Sequence, residues 1–195
     1  MEITAAMVKE LRSQSGAGIM ECKSALKETQ GDLEEAITFL RKKGLAKADK
    51  KSDRQTSEGV IGSYIHQGSK VGVMLELNCE TDFVANTPDF QTLVKDIAMH
   101  IAAAKPRFAT REEVTEVILE KEREIFAHQA KESGKPENII EKIVTGKMEK
   151  FYEENCILEQ PFIKDTNVTI GELIKQKIAL LGENINIGQF SRFEI

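Results

Sequence analysis

The chain has 195 residues, 41% hydrophobic and 30% charged, with a net charge of −5: enough for one ordinary domain or a domain with a small appendage, and too acidic to hold a phosphate backbone without a concentrated basic patch. Three widely spaced cysteines suit a reduced compartment better than a disulfide framework. There is no apolar run of about 18 residues and no apolar signal core in MEITAAMVKELRSQ, so a cytoplasmic location is expected.

The first 44 residues read as three short helices. Thr4 to Gln14 carries Met7, Val8 and Leu11 on one face, and Ser15-Gly16 breaks it. The next helix has Ile19, Cys22, Ala25 and Leu26 at helical spacing and stops near Gly31. The third opens on Asp32 as N-cap with Glu35 three residues on, carries Leu33, Ala36, Ile37 and Leu40, and has Gly44 as its expected C′ residue. Stripes this short can be buried only against one another, which predicts a compact head. Then comes RKKGLAKADKKSDR, residues 41–54, with seven Lys or Arg and two Asp. It reads as a solvated connector or as an RNA-binding arm, and it has no interleaved aromatic to stack on a base.

The period falls to two after residue 58. In KVGVMLELNCE the odd positions Val71, Val73, Leu75, Leu77 and Cys79 form one apolar face. GVIGSYIH and Gln67-Gly68-Ser69 precede it, which predicts a hairpin. ENINIGQFSRFEI reads as a third strand whose parity breaks at Gly188, a bulge signal. Between these strands, Thr87-Pro88-Asp89 opens a helix with Phe90, Leu93, Val94, Ile97 and Ile101. A second helix is expected over 112–133 with Val114, Val117, Ile118, Ile125 and Phe126, and a third over 136–155 with Ile140, Ile143, Val144, Met148 and Phe151. Thr169-Ile170-Gly171-Glu172 begins another that stops at Gly182. The expected class is α+β: a three-helix head over 1–45, a basic linker over 46–57, and a body over 58–195 in which a three-stranded antiparallel sheet packs with helices.

Chemical motifs are scarce. There is no Gly-x4-Gly-Lys-Ser/Thr and no G-x-G-x-x-G after a strand, so no nucleotide cradle is expected. The three cysteines and His66, His100 and His128 have no metal-ligand spacing. Neither catalytic residues, a cofactor nor a metal are expected, and the chain reads as a binding protein. NCETDFVAN, residues 78–86, is its most unusual stretch. Continuing the strand's parity puts Phe83 in the core; a turn started by Thr81-Asp82 puts it outside. Spacing leaves both open.

VKELRSQSGAGIMECKSAL, LNCETDFVAN, AMHIAAAKPRF and LEQPFIKD together resemble bacterial elongation factor Ts, in order and over essentially the whole chain. The resemblance implies a guanine-nucleotide exchange factor for elongation factor Tu, not an enzyme in the covalent sense. It implies that the turn Thr81, Asp82, Phe83 and Val84 is pushed into that GTPase, with Phe83 entering near its magnesium and phosphate site. It further implies contacts from Arg12, Met20 and Lys23 in the head, from Val71 and Gly72 on the strand, and from His100. The head's helices also resemble a ubiquitin-associated module. Longer family members carry two copies of the body, and here both sets of motifs fall on one copy, so a homodimer in a 2:2 complex is expected. Some short relatives have basic residues and a cysteine on the closing strand; this chain has Gly188, Gln189 and Ser191, so a dimer would be noncovalent there. The competing readings are an RNA-binding protein using residues 41–54 and a ubiquitin-type adaptor head on an enzyme.

Overall fold

The structure, a computed structural model, describes residues 3–132, 134 and 136–195. Its elements are α1 Ala5–Ser15, α2 Ile19–Glu28, α3 Leu33–Asp49, β1 Glu58–Ile65, β2 Val71–Cys79, α4 Asp82–Ala85, α5 Pro88–Ala104, α6 Glu116–Glu132, α7 Glu137–Asn155, β3 Pro161–Phe162, β4 Asp165–Thr169, α8 Ile170–Leu181 and β5 Ile185–Glu194. The class is α+β, with a three-stranded antiparallel sheet in the order β1-β2-β5 and a small β3-β4 pair. The chain divides into two compact units. One contains residues up to Gly59, Asn78–Gln91 and Glu172–Asn186; the other contains Val60–Leu77, Thr92–Gly171 and Ile187–Ile195.

In the first unit, Thr4 Oγ1 accepts from the Met7 amide at 3.3 Å and caps α1. Asp32 Oδ1 accepts from the Glu35 amide at 2.8 Å and caps α3. Leu11, Cys22, Ala25, Leu26 and Ala36 form the core of the head, with Met7, Val8, Leu33, Ile37 and Leu40 packed around them. Ile19 departs from the expected stripe and is exposed. Gly44 does not end α3, which runs on to Asp49. A Cβ at Gly44 would lie 3.2 Å from the Ala179 methyl, so this glycine permits a close approach to α8 instead of capping. Ion pairs of Arg41 with Glu172 and of Lys47 with Glu21 brace the extended helix.

In the second unit, Val73, Leu75 and Leu77 are buried while Met74 is exposed, the alternation expected of a strand covered on one face. Leu93, Val94, Ile97, Ala98 and Ile101 of α5 are buried, and Gly62 of β1 approaches Val94 so closely that a Cβ would collide with it. In β5, partial burial passes to even positions beyond Gly188, with Phe190 and Arg192 half-buried, as the parity break foresaw. Helices α6 and α7 pack on each other around Leu119, Met148 and Phe151, joined by Val114 and Cys156. The helix expected from residue 112 starts at Glu116, because Arg111–Glu113 form a separate 3-10 turn. Val114 falls in the join and is buried, and Val117 is exposed. That helix's expected end, Ser133, lies outside the described residues. Strands β3 and β4 were not foreseen. No helix among the described residues is long and apolar enough to cross a membrane.

Candidate functional site

The turn after β2 is built from its ends inward. Thr81 is extended at φ −135° and caps the short helix α4, its Oγ1 accepting from the Val84 amide at 3.4 Å. That hydroxyl donates to Glu183 Oε1 at 2.6 Å, while the amides of Glu80 and Thr81 donate to Glu183 Oε2 at 3.1 and 3.0 Å. The Cys79 thiol donates to the Thr81 carbonyl at 3.1 Å; burial, reinforced by the nearby Glu183 carboxylate, raises its pKa and keeps it protonated. On the far side, the Asn86 side-chain amide donates to the Asp82 carbonyl at 2.8 Å and the Gln91 side-chain amide to the Ala85 carbonyl at 2.8 Å.

These bonds give neighbouring side chains different directions. Val84 and Ala85 are buried, Asp82 is exposed, and Phe83 stands 82% exposed. Strand parity does not reach Phe83, because the Thr81 cap converts the chain from a period of two to a helical turn. The Asp82 carboxylate has no hydrogen bond or ion pair among the described residues, so both outward side chains are free.

The base of the turn has a second carboxylate. Glu80 Oε1 accepts from the Asn184 amide at 2.7 Å and lies 3.5 Å from Arg54 Nη1. Asn184, itself buried, donates from Nδ2 to the carbonyls of Ser52 and Arg54 at 3.0 and 2.8 Å. Sequence reading missed Glu183 and Asn184, which lie about a hundred residues from the turn. One signal was available: an acid immediately after a helix C-terminus opposes the helix dipole, so Glu183 needed donors from elsewhere.

In the head, Arg12, Met20 and Lys23 are exposed, Met20 at 75%. The turn and these three residues belong to the first unit. Val71, Gly72 and His100 belong to the second. Val71 and Gly72 are half-buried, and a Cβ at Gly72 would lie 3.1 Å from Ile65 Cδ1. His100 is fully buried, with Nε2 3.0 Å from Gln160 Oε1. Gln160 Nε2 donates to the Glu154 carbonyl, so its Oε1 accepts from His100 Nε2–H, which leaves Nδ1 as the lone-pair nitrogen. Nδ1 has no hydrogen-bond partner. Burial lowers the pKa of this imidazole, and the ring offers no surface of its own to a docked molecule.

Among the described residues no three His, Cys, Asp or Glu side chains gather where they could hold a metal ion, and Cys22, Cys79 and Cys156 are buried. Within the basic run 41–54, Arg41, Lys47 and Arg54 pair with carboxylates, Lys51 donates to the Gly182 carbonyl, and Lys43 lies over Phe39. Most of the run's cations are therefore engaged within the chain.

The geometry defines a presentation site: a braced turn that holds an aromatic ring and a free carboxylate out to solvent, in a unit that also exposes a methionine and two cations. Such a surface is suited to work by contact. The model of the family described as Elongation factor TS matches residues 1–195. Proteins named Elongation factor Ts are similar along the whole chain. That of Fervidobacterium nodosum is 60% identical over 195 residues, covering 100% of this chain and 99% of its own. That of Solibacter usitatus is 58% identical over 194 residues, covering 100% and 92%. That of Geobacter sulfurreducens is 56% identical over 193 residues, covering 99% and 89%. The chain belongs to the elongation factor Ts family of translation elongation factors.

Proposed function

We propose that the chain is a guanine-nucleotide exchange factor that binds elongation factor Tu carrying GDP in the cytoplasm and promotes GDP release, so that GTP can load. The single observation that carries this reading is the 82% exposure of Phe83 on a turn whose every other anchor is satisfied. Burying a phenylalanine gains about 1.5–3 kcal/mol. That gain is realised only where the GTPase opens to admit the ring, and opening next to the magnesium and phosphate ligands weakens GDP. Factor and nucleotide then oppose each other, and linkage makes the opposition reciprocal. Thr81 and Val84 hold the turn while Asp82 and Phe83 make the contact. The head, whose three helices we take as ubiquitin-associated-like, docks through Arg12, Met20 and Lys23; an adaptable methionine flanked by cations suits a protein surface. The factor itself binds no nucleotide and acts on the partner's magnesium.

The second half of the proposal is a homodimer forming a 2:2 complex. The outer face of the sheet exposes Ile61, Ile65, Met74 and Phe193, each by more than half, with Gly72 against Ile65. An apolar sheet face of this kind favours a second covered layer. In that assembly one subunit supplies the turn and the other the hairpin end of the sheet at Val71 and Gly72, beside the covered patch; His100 is enclosed and makes no contact of its own. The engagement of the 41–54 cations within the chain favours this reading over an RNA-binding arm.

The test is stopped-flow release of fluorescent GDP from elongation factor Tu, with wild type and Phe83→Ala. Acceleration by wild type that collapses in the variant supports the reading. No acceleration by wild type would sink it.

A further inference from the structure

Thr81 has every polar atom engaged. Its amide and hydroxyl donate to Glu183, its hydroxyl also accepts from Val84, and its carbonyl accepts from Cys79 and from the Ala85 amide at 3.2 Å. Glu183 is the largest contributor, because one carboxylate takes three donors on two consecutive residues, Glu80 and Thr81, immediately before Asp82-Phe83. Bonds to an ionised carboxylate are shorter and roughly twice as strong as neutral ones, and the 2.6 Å contact with the Thr81 hydroxyl is in that range. The arrangement is reciprocal: Glu80 accepts from the Asn184 amide at 2.7 Å while its own amide donates to Glu183. Two carboxylates thus buckle the end of β2 to the loop between α8 and β5. Asn184 extends the buckle to the carbonyls of Ser52 and Arg54, which follow the head's third helix.

The turn has supports besides the buckle. The hydroxyl cap, the buried Val84 and Ala85, and the bonds from Asn86 and Gln91 already form α4. What Glu183 adds is a fixed direction at residues 80 and 81, and so at the exposed ring two residues on. An exposed aromatic on a loose turn loses conformational freedom when it inserts; a pre-directed one loses less.

We propose that Glu183 is a positioning residue for exchange: through Glu80 and Thr81 it sets the direction of Phe83 before elongation factor Tu is met. It touches no partner itself. The inference rests on the reading of Phe83 as the exchange contact.

The test is a double-mutant cycle of Glu183→Gln and Phe83→Ala, read as the GDP-release rate at saturating factor and as the factor's affinity for elongation factor Tu. Glutamine keeps the shape but replaces one acceptor oxygen with a donor that faces the amide or hydroxyl donors. Glu183→Gln is expected to lower the saturating rate by roughly tenfold or more, with a much smaller change in affinity, because the head still docks. Hydrogen exchange at the amides of Glu80 and Thr81 is expected to quicken. In the Phe83→Ala background the same substitution is expected to have no further effect, since a residue that acts only through Phe83 has nothing left to direct. Glu183→Asp, which keeps both acceptor oxygens, is expected to recover part of the rate. If Glu183→Gln does not fold, the milder Glu183→Asp takes its place in the cycle, its partial loss of rate likewise expected to vanish in the Phe83→Ala background. A full rate with the amides opened would overturn the positioning role, as would independent losses from the two substitutions. Wild type that fails to release GDP, or Phe83→Ala at full rate, would instead bring down the reading beneath it, and the proposal with it.

Discussion

Phe83 and Val84 are adjacent in sequence and opposite in environment: the ring is 82% exposed and the valine 9%. Recognition and stability are therefore separable at neighbouring positions. Phe83→Ala removes little native packing, so its stability in urea is expected within about 0.5 kcal/mol of wild type. GDP release should fall roughly 10- to 100-fold, the equivalent of one lost phenylalanine burial. Val84→Ala should instead cost about 1–3 kcal/mol of stability through the cavity it leaves. Paired urea and stopped-flow measurements on the two variants check this. A Phe83→Ala protein destabilised as much as Val84→Ala would mean that the ring is part of the core in solution.

His100 carries a pH prediction. Its folded pKa lies below the ordinary 6.5 because burial disfavours the charged ring, an effect only partly offset by the bond to Gln160. Below about pH 6.5 the unfolded chain takes up a proton that the folded protein refuses. The contribution of His100 to stability is thus fully present above that pH. It declines as pH falls through 6.5, until the folded protein's own lowered pKa is passed. His100→Gln retains a donor toward Gln160 and cannot titrate. Thermal unfolding between pH 7.5 and 5.5 should show a smaller drop in midpoint for the variant than for wild type. Parallel curves would refute the assignment.

How far the sequence discloses these features depends on distance along the chain. Asp32 and Thr87 cap helices from within three residues, and the pattern around each states its role; Thr4, which reads as the first residue of its helix, is the cap of α1. The alternation of β2 is equally local. Gly44 reads as a helix stop because its use is to admit Ala179, which is 135 positions away and invisible to a pattern of neighbours. His100 lies on the edge of its helix's apolar stripe, and only the packing of Gln160 and Phe162 determines that it is enclosed. Strand β3 has two residues, too short to carry a period. At Phe83 parity pointed inward, and the resemblance, together with the turn chemistry of Thr81, pointed outward as the structure has it. Glu183 was the costliest omission, since it bonds the turn from about a hundred residues away, where no local pattern links it to Thr81.

Gly62 offers a test of close packing in the second unit. Alanine ordinarily suits a strand better than glycine, by about 0.5–1 kcal/mol. Here the added methyl collides with Val94 Cγ1. Valine in a helix is held in one rotamer about 90% of the time, so Val94 cannot readily turn aside. Gly62→Ala is expected to destabilise by about 1–3 kcal/mol. Adding Val94→Ala should relieve the collision, so that the double variant is less destabilised than the sum of the two single ones. Chemical denaturation of the three variants checks the cycle, and strict additivity would show that the methyl is accommodated by other means.

The exposed sheet face decides between a monomeric and a dimeric factor. Ile61 and Ile65 lie on β1, Met74 on β2 and Phe193 on β5, so the apolar surface spans all three strands and is not a single stray residue. A charge in the middle of such a face, once covered, would be buried without a partner, at a cost of several kcal/mol; on a face open to water it costs little. Met74→Glu therefore distinguishes the two states. Sedimentation velocity of the wild type is expected to give twice the chain mass at micromolar concentration, and the variant the single mass with its helix content intact. If one copy cannot offer both the turn and the surface around Val71 and Gly72 to the same GTPase, the monomeric variant should also release GDP slowly, although its Phe83 is untouched. Addition of a Phe83→Ala chain that retains the sheet face should not restore the rate, because the variant cannot pair with it. A wild type that sediments as a monomer at all concentrations tested would remove the dimer and require one chain to act alone.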